Sequence, residues 1–255
     1  AFFATGVFGS FMLDSNEMSI LIAITSSLVL LFSAGLKDDI FGLSPKIKLF
    51  VEVLSAVIFI VLTDIRIDCF HGLFGINELP LAISYIYTIF VFVIIINSFN
   101  LIDGIDGLAA SIAFIIFSCF LYYFISIRSF LAIVSISSML GGILAFLRFN
   151  LSKGKRKIFM GDVGSLVIGY LLAIFTTMIL STEFTSIQVI DNKPVFILAL
   201  FAYPFLDTLR VFILRGISGS SPFLPDKNHF HHKLLEAGFS HIQSTIFIIL
   251  YCLII

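Results

Sequence analysis

Charge is what this sequence has least of: 12% of its 255 residues are Asp, Glu, Lys or Arg, about half the share of an ordinary soluble domain, while 59% are hydrophobic. Too few polar side chains remain to coat a water-soluble globule, and that class is excluded. Net charge is −1 and no Lys/Arg-rich arm exists, so electrostatic attraction to nucleic acid is excluded as well. The three cysteines, Cys69, Cys119 and Cys252, form no CxxC and no paired spacing, which argues against a disulfide framework or a zinc site. Tryptophan is absent and carries no functional message. Period-two alternation is missing too, which excludes a membrane barrel.

Long apolar runs are what the chain has in abundance. They fall at about 1–13, 18–35, 47–63, 81–96, 107–125, 130–149, 165–181, 194–214 and 242–255. A helix crosses a bilayer with about 20 apolar residues, so the expected fold is all-α, a polytopic helical membrane protein with about nine membrane segments in one integral membrane domain over 1–255. The opening run has no basic region before it and is no signal peptide, and the final run is short for a span. Both ends are expected to be cut from a longer polypeptide.

Lys and Arg are unevenly placed. The second, fourth, sixth and eighth connections and the helix ends beside them hold 12 of the 15, leaving only Arg66, Arg128 and Lys193 on the other side. Cytoplasmic connections carry the basic excess, so the even connections are assigned to the cytosol. The same connections hold nearly every residue capable of chemistry.

Four stretches stand out. In GLKDDIFGLSPKIKL, adjacent Asp38 and Asp39 repel unless a cation or proton separates them, which suits a metal, a phosphate held through metal, or a shared-proton base; a solvated helix cap is the plainer alternative. In NSFNLIDGIDGLAA, steps of three bring Asn100, Asp103 and Asp106 toward one face, and Gly104 and Gly107 admit close backbone approach. Such oxygen ligands suit Mg2+ and a nucleotide rather than zinc, against the alternative of a turn between spans.

In KIFMGDVGSLVIG, Gly161, Gly164 and Ser165 flank Asp162 at a helix start, where free amides receive phosphate and the Asp holds a cation, or where Asp162 merely caps the helix. In SPFLPDKNHFHHKLLEAGFS, His229, His231 and His232 lack thiolates or an HExxH pattern, and nearby Lys227 and Lys233 favour an anion such as pyrophosphate over zinc. Two further pairs are expected to be structural: Asp207 with Arg210 or Arg215, and Glu52 with Lys48 one turn before it.

In order, DDxxxLSPKxK, NxxNxxDGxDGLA, MGDxGSLxxG and DxxHxHHxLLxxG resemble the motifs of the polyprenyl-phosphate N-acetylhexosamine-1-phosphate transferases over about residues 30–240. The DKNHFHH stretch is similar to the branch that uses UDP-N-acetylglucosamine, more than to the phospho-N-acetylmuramoyl-pentapeptide transferases. The resemblance implies a bacterial inner-membrane enzyme that turns a UDP-N-acetylhexosamine and undecaprenyl phosphate into a lipid-linked sugar diphosphate and UMP, with Mg2+ or Mn2+ as cofactor and a homodimer as an admissible assembly.

It further implies Asp162 as the main metal ligand with Asn100 beside it, Phe159 as the ring under uracil, and Asn97 among the substrate-binding residues. Asp103 and Asp106 then line the nucleotide pocket, and Asp38 and Asp39 lie near the attacking lipid phosphate. Arg215, His229, His231 and His232 face the diphosphate and sugar, although Ser220 replaces a residue often basic in relatives. A direct displacement is expected rather than a phospho-enzyme. The family's further N-terminal span, its basic loop and its final span have no counterpart here. The competing class, an ion-coupled secondary transporter, requires carboxylates near mid-bilayer in broken helices and a repeat between halves.

Overall fold

The computed structural model describes residues 13–152, 154–184, 189–217 and 229–254. Ten α-helices follow one another: α1 Ser15–Phe41, α2 Pro45–Thr63, α3 Leu81–Ile102, α4 Leu108–Ser126, α5 Phe130–Asn150, α6 Gly161–Leu180, α7 Lys193–Leu200, α8 Ala202–Ile217, α9 Phe230–Glu236 and α10 His241–Ile254. Their limits follow local chemistry. The Asp14 side chain accepts from Glu17 N at 2.8 Å at the start of α1, Pro45 opens α2 without forfeiting a hydrogen bond, and Asn192 caps α7 through Val195 N. The connection at 64–80 folds into a small hairpin-like turn, with Phe70 N donating to Asn77 O at 2.7 Å and Leu79 N to Asp68 O at 2.8 Å.

The chain is an all-α, multi-pass membrane protein, but the expected count of nine segments needs correction. Among the described residues five helices are long and apolar enough to cross a membrane: α1, α3, α4, α5 and α6. The run at 47–63 forms α2, whose first half carries Lys46, Lys48 and Glu52. The run at 194–214 breaks into α7 and α8, which meet at 68° and make a sixth span only if taken together. Pro204 supplies the physical reason, because it has no N–H to offer the carbonyl of Leu200. The run at 242–255 yields α10 of only 14 residues, and most of the first run lies outside the described residues.

α6 is the hub, buried along nearly its whole length between α1, α3 and α4. The packing brings backbones together: a Cβ on Gly35 of α1 would lie 2.7 Å from Val163 Cα, and one on Gly169 would lie 2.8 Å from Ile96 Cα of α3. Close approach through small residues is how helices associate where lipid removes the hydrophobic drive between them. Around this hub Phe59, Phe92 and Tyr170 interlock with ring centroids 5.7–5.8 Å apart. Outward, Val61, Ile86, Phe90 and Leu144 are more than half exposed, as a lipid-facing surface requires.

Candidate active site

The end of α1, the start of α2, the end of α3 and the start of α6 meet at one end of the bundle. Asp39 reaches across to the first turn of α6, where its Oδ1 accepts from Asp162 N at 2.8 Å and its Oδ2 from Val163 N at 3.3 Å. A carboxylate there satisfies free amides and the positive helix end together. Gly161 makes room: its φ is +66°, and a Cβ would lie 2.8 Å from Asp39 Oδ2.

Asp38 turns the other way, accepting from Leu43 N at 2.6 Å and pairing with Lys48 Nζ at 3.0 Å. Lys48 also donates to Asp162 Oδ1 and, at 3.3 Å, to Asn100 Oδ1. Asn100 Nδ2 in turn donates to Asp162 Oδ1 at 2.6 Å and to Ser165 Oγ at 2.9 Å. Asp38, Asn100 and Asp162 therefore converge around one ammonium group from three helices far apart in sequence. Hard oxygens of this kind fit Mg2+, which usually takes one or two carboxylates and completes its shell with water and substrate phosphates. Among the described residues no three Asp, Glu, His or Cys side chains close on one point. The donor set suits an ion shared with a ligand, and it does not make a closed protein cage.

Asp103 ends α3 and Gly107, at φ +76°, opens α4. Burial, followed by Asp162, Asp106 and Asp39, pushes the Asp103 carboxyl up to about 7. Asp106 is partnered differently: its Oδ2 lies 2.6 Å from Lys157 Nζ and 3.2 Å from His241 Nδ1. Lys157 stands over the Phe159 ring at 5.2 Å, and Phe159 is 75% exposed, an open aromatic face beside the acidic cluster. Buried Asn150 fixes this rim, accepting from Gly107 N at 2.7 Å and donating to Ile158 O at 2.8 Å.

The histidine stretch closes another side. His231 is fully buried, and its Nε2 occupies the space a Cβ on Gly104 would need. Its ring stacks on His229 at 5.5 Å and lies 4.3 Å from His232. Burial, then His232, pushes His231 down to about 4, so this ring is neutral at neutral pH. Arg215 is buried in the last turn of α8. Ser220, Asp226 and Lys227 lie outside the described residues.

One expected pairing is absent and another is joined by a stronger one. Glu52 is buried and receives the amide of Asn97, which also donates to Val93 O at 2.9 Å, so Asn97 sits one helical turn deeper than Asn100 with its amide committed inside the bundle. Lys48 is drawn instead to Asp38 and Asp162, where two carboxylates compete for it. Asp207 keeps its expected pairing with Arg210 at 4.0 Å and adds a closer contact to His229. Asn150 and His241 are site residues that pattern reading does not single out, and Lys48 and Asp207 are singled out there only as members of structural pairs.

Fold and site together define an integral membrane protein with an acidic, phosphate-suited centre at one end of its helix bundle. The sequence model described as Glycosyl transferase family 4 matches residues 21–180, and the chain belongs to that family. It is 35% identical over 87% of its length to the undecaprenyl-phosphate alpha-N-acetylglucosaminyl 1-phosphate transferase of Salmonella typhi, and 31% identical over the same share to that of Escherichia coli (strain K12). A relative in Bacillus subtilis (strain 168), named a probable undecaprenyl-phosphate N-acetylglucosaminyl 1-phosphate transferase, is 33% identical over 96% of the chain. The chain spans 60% of the Salmonella and Escherichia proteins and 66% of the Bacillus one.

Proposed function

We propose that this chain transfers N-acetylglucosamine 1-phosphate from UDP-N-acetylglucosamine to undecaprenyl phosphate, releasing UMP. The observation that carries the reading is the convergence of Asp38, Asn100 and Asp162 on Lys48 at the bundle end, in a chain whose relatives bear that activity in their names. Those names favour it over muramoyl-pentapeptide transfer. A transporter is disfavoured because the carboxylates gather at one end, and the broken α7–α8 pair meets at buried, apolar Phe201 rather than at an ion site.

In the direct reaction an oxygen of the lipid phosphate attacks the β-phosphorus of the nucleotide sugar. The bond from that phosphorus to the bridging oxygen breaks, and UMP leaves with the electron pair. Bringing two anions together is the main obstacle. A bound Mg2+ would supply positive charge to the diphosphate, held by Asp162 and Asn100. Lys48 and Lys157 provide the remaining positive charge, the histidine stretch adds hydrogen-bond donors, and Phe159 offers a face for uracil. Asp38 and Asp39, at the end of α1, would take up a proton where the lipid phosphate carries one. The basic excess in the even connections supports a bacterial plasma-membrane protein with this end toward the cytoplasm, where nucleotide sugars are found.

The test is direct. Purified protein with labelled UDP-N-acetylglucosamine, undecaprenyl phosphate and Mg2+ should yield a butanol-extractable lipid product and UMP, and neither with excess EDTA. Running several UDP-sugars in parallel fixes the sugar. Undiminished product in EDTA would remove the metal from the account, and no product with any UDP-sugar would remove the reaction.

A further inference from the structure

Asp207 lies midway along α8, 4% exposed, and holds two groups of the histidine stretch 22 and 23 residues on. Its Oδ2 is 2.9 Å from His229 Nδ1, and its Oδ1 accepts from Phe230 N at 2.8 Å. Burying a carboxylate is costly, and a neutral side chain would cap α9 through Phe230 N equally well. The cap therefore does not explain the charge. Arg210, 4.0 Å from Oδ1, offsets part of it, and the contact to His229 gives it a use, because an ionised carboxylate only accepts, and the imidazole nitrogen bonded to it must carry a proton.

The consequences run along the stretch. The two nitrogens of an imidazole point apart, so a ring whose Nδ1 is directed into α8 turns Nε2 away from that helix. His229 stacks almost parallel on His231, with 12° between the rings, and His231 abuts Gly104 beside Asp103. Asp207 thus fixes the near end of a ladder of rings that leads from α8 to the acidic turn after α3.

We propose that Asp207 is a positioning residue, which holds one proton of His229 on Nδ1 and orients the ring so that Nε2, carrying a second proton, donates to the diphosphate of the nucleotide sugar. This rests on the transfer reading above. The carboxylate does to this ring what outer carboxylates do to the histidines of other active sites: it holds a proton on the facing nitrogen and restricts rotation.

Asp207→Asn separates this role from a structural one. The amide oxygen can still accept from Phe230 N, but the amide nitrogen then faces His229 Nδ1 as a donor, which leaves that nitrogen without a proton and the ring uncharged. In the purified protein kcat should fall by about 10²-fold or more while KM for the UDP-sugar stays within about threefold. Thermal unfolding in detergent should be almost unmoved. His229→Ala should lose a similar factor, and the double variant should be no slower than His229→Ala alone, because Asp207 acts only through that ring.

Nitrogen NMR of 15N-histidine protein should show a protonated Nδ1 at His229 in the wild type and an unprotonated one in Asp207→Asn. Wild-type kcat in Asp207→Asn, or a double variant slowed by the product of the two single losses, would overturn the proposal. Absence of transfer by the wild type with every UDP-sugar would instead defeat the transfer reading, and the nitrogen spectra would still decide whether Asp207 fixes His229.

Discussion

The two ends of the helix bundle both carry carboxylates and treat them in opposite ways. At the end away from the candidate site, Asp64 is matched by a neighbour two residues on, Arg66 at 2.5 Å, and by Tyr85 at 2.9 Å. That hydrogen bond from Arg66, followed by Tyr85, holds the Asp64 carboxyl below its ordinary value. Asp68 accepts from Thr182 N at 3.0 Å and Thr182 Oγ1 at 2.6 Å, pinning one loop to another. At the other end Asp38, Asp39, Asp103, Asp106 and Asp162 are brought together by α1, the turn after α3 and α6, and burial, then the neighbouring carboxylates, push Asp103 up to about 7. Asp64 and Asp68 thus each find partners in the loops they close. An assembly that gathers like charges from distant helices stores repulsion, which a cation and a ligand relieve.

Breaking that contrast starts with Asp162. Asp162→Asn removes one charge from the centre and should reduce turnover by about 10²-fold or more at ordinary Mg2+ while the protein still inserts and folds. Steady-state kinetics on the purified variant check this, and wild-type rates would leave Asp162 as no more than part of a helix start. Gly104→Ala comes next. Its methyl group needs the space that His231 Nε2 fills, so the histidine stretch must shift, with a loss of about tenfold in turnover expected at the few-kcal/mol scale of an overpacked contact. Unchanged kinetics would mean that the stretch does not work from that position.

Asp103 gives a smaller effect with a definite sign. Its folded value, about 7, exceeds the ordinary 3.8, so the folded chain binds the proton more tightly than the unfolded one. The stabilisation is full below about pH 4 and is lost as pH rises through about 7. In metal-free protein the unfolding temperature of the wild type should therefore fall over that window relative to Asp103→Asn. Parallel curves for the two proteins would show that the carboxylate is neither buried nor crowded. Least of all should come from the opposite end: Asp68→Ala should cost about 1 kcal/mol of stability or less and leave turnover within about twofold, read by thermal unfolding and the transfer assay. A large loss of turnover there would erase the distinction between the ends.

How much of this was legible in the sequence depends on how local each signal is. The spans α1, α3, α4, α5 and α6 show directly as apolar runs, since lipid demands hydrophobicity along their length. The break between α7 and α8 does not show in hydropathy, which stays high across Phe201, although Pro204 marks where a helical hydrogen bond is missing. Asp38, Asn100 and Asp162 were recognisable as candidates because each lies in a short polar stretch between apolar runs. Lys48 was read into a pair with Glu52, because an i, i+4 spacing is visible in one dimension and the competing carboxylates of α1 and α6 are not. The contact of Asp207 with His229 was hidden for the same reason: that partner lies 22 residues on, in a separate helix cap.

The most direct measurement is Mn2+ binding followed by electron paramagnetic resonance, with Mn2+ standing in for Mg2+, on wild type, Asp162→Asn and Asp68→Ala. One Mn2+ per chain should bind the wild type, more tightly when UDP-N-acetylglucosamine is present; Asp68→Ala should match it, and Asp162→Asn should lose that binding. Retention of the ion by Asp162→Asn, or its loss in Asp68→Ala, would contradict the assignment of the acidic end as the centre where metal and nucleotide sugar meet.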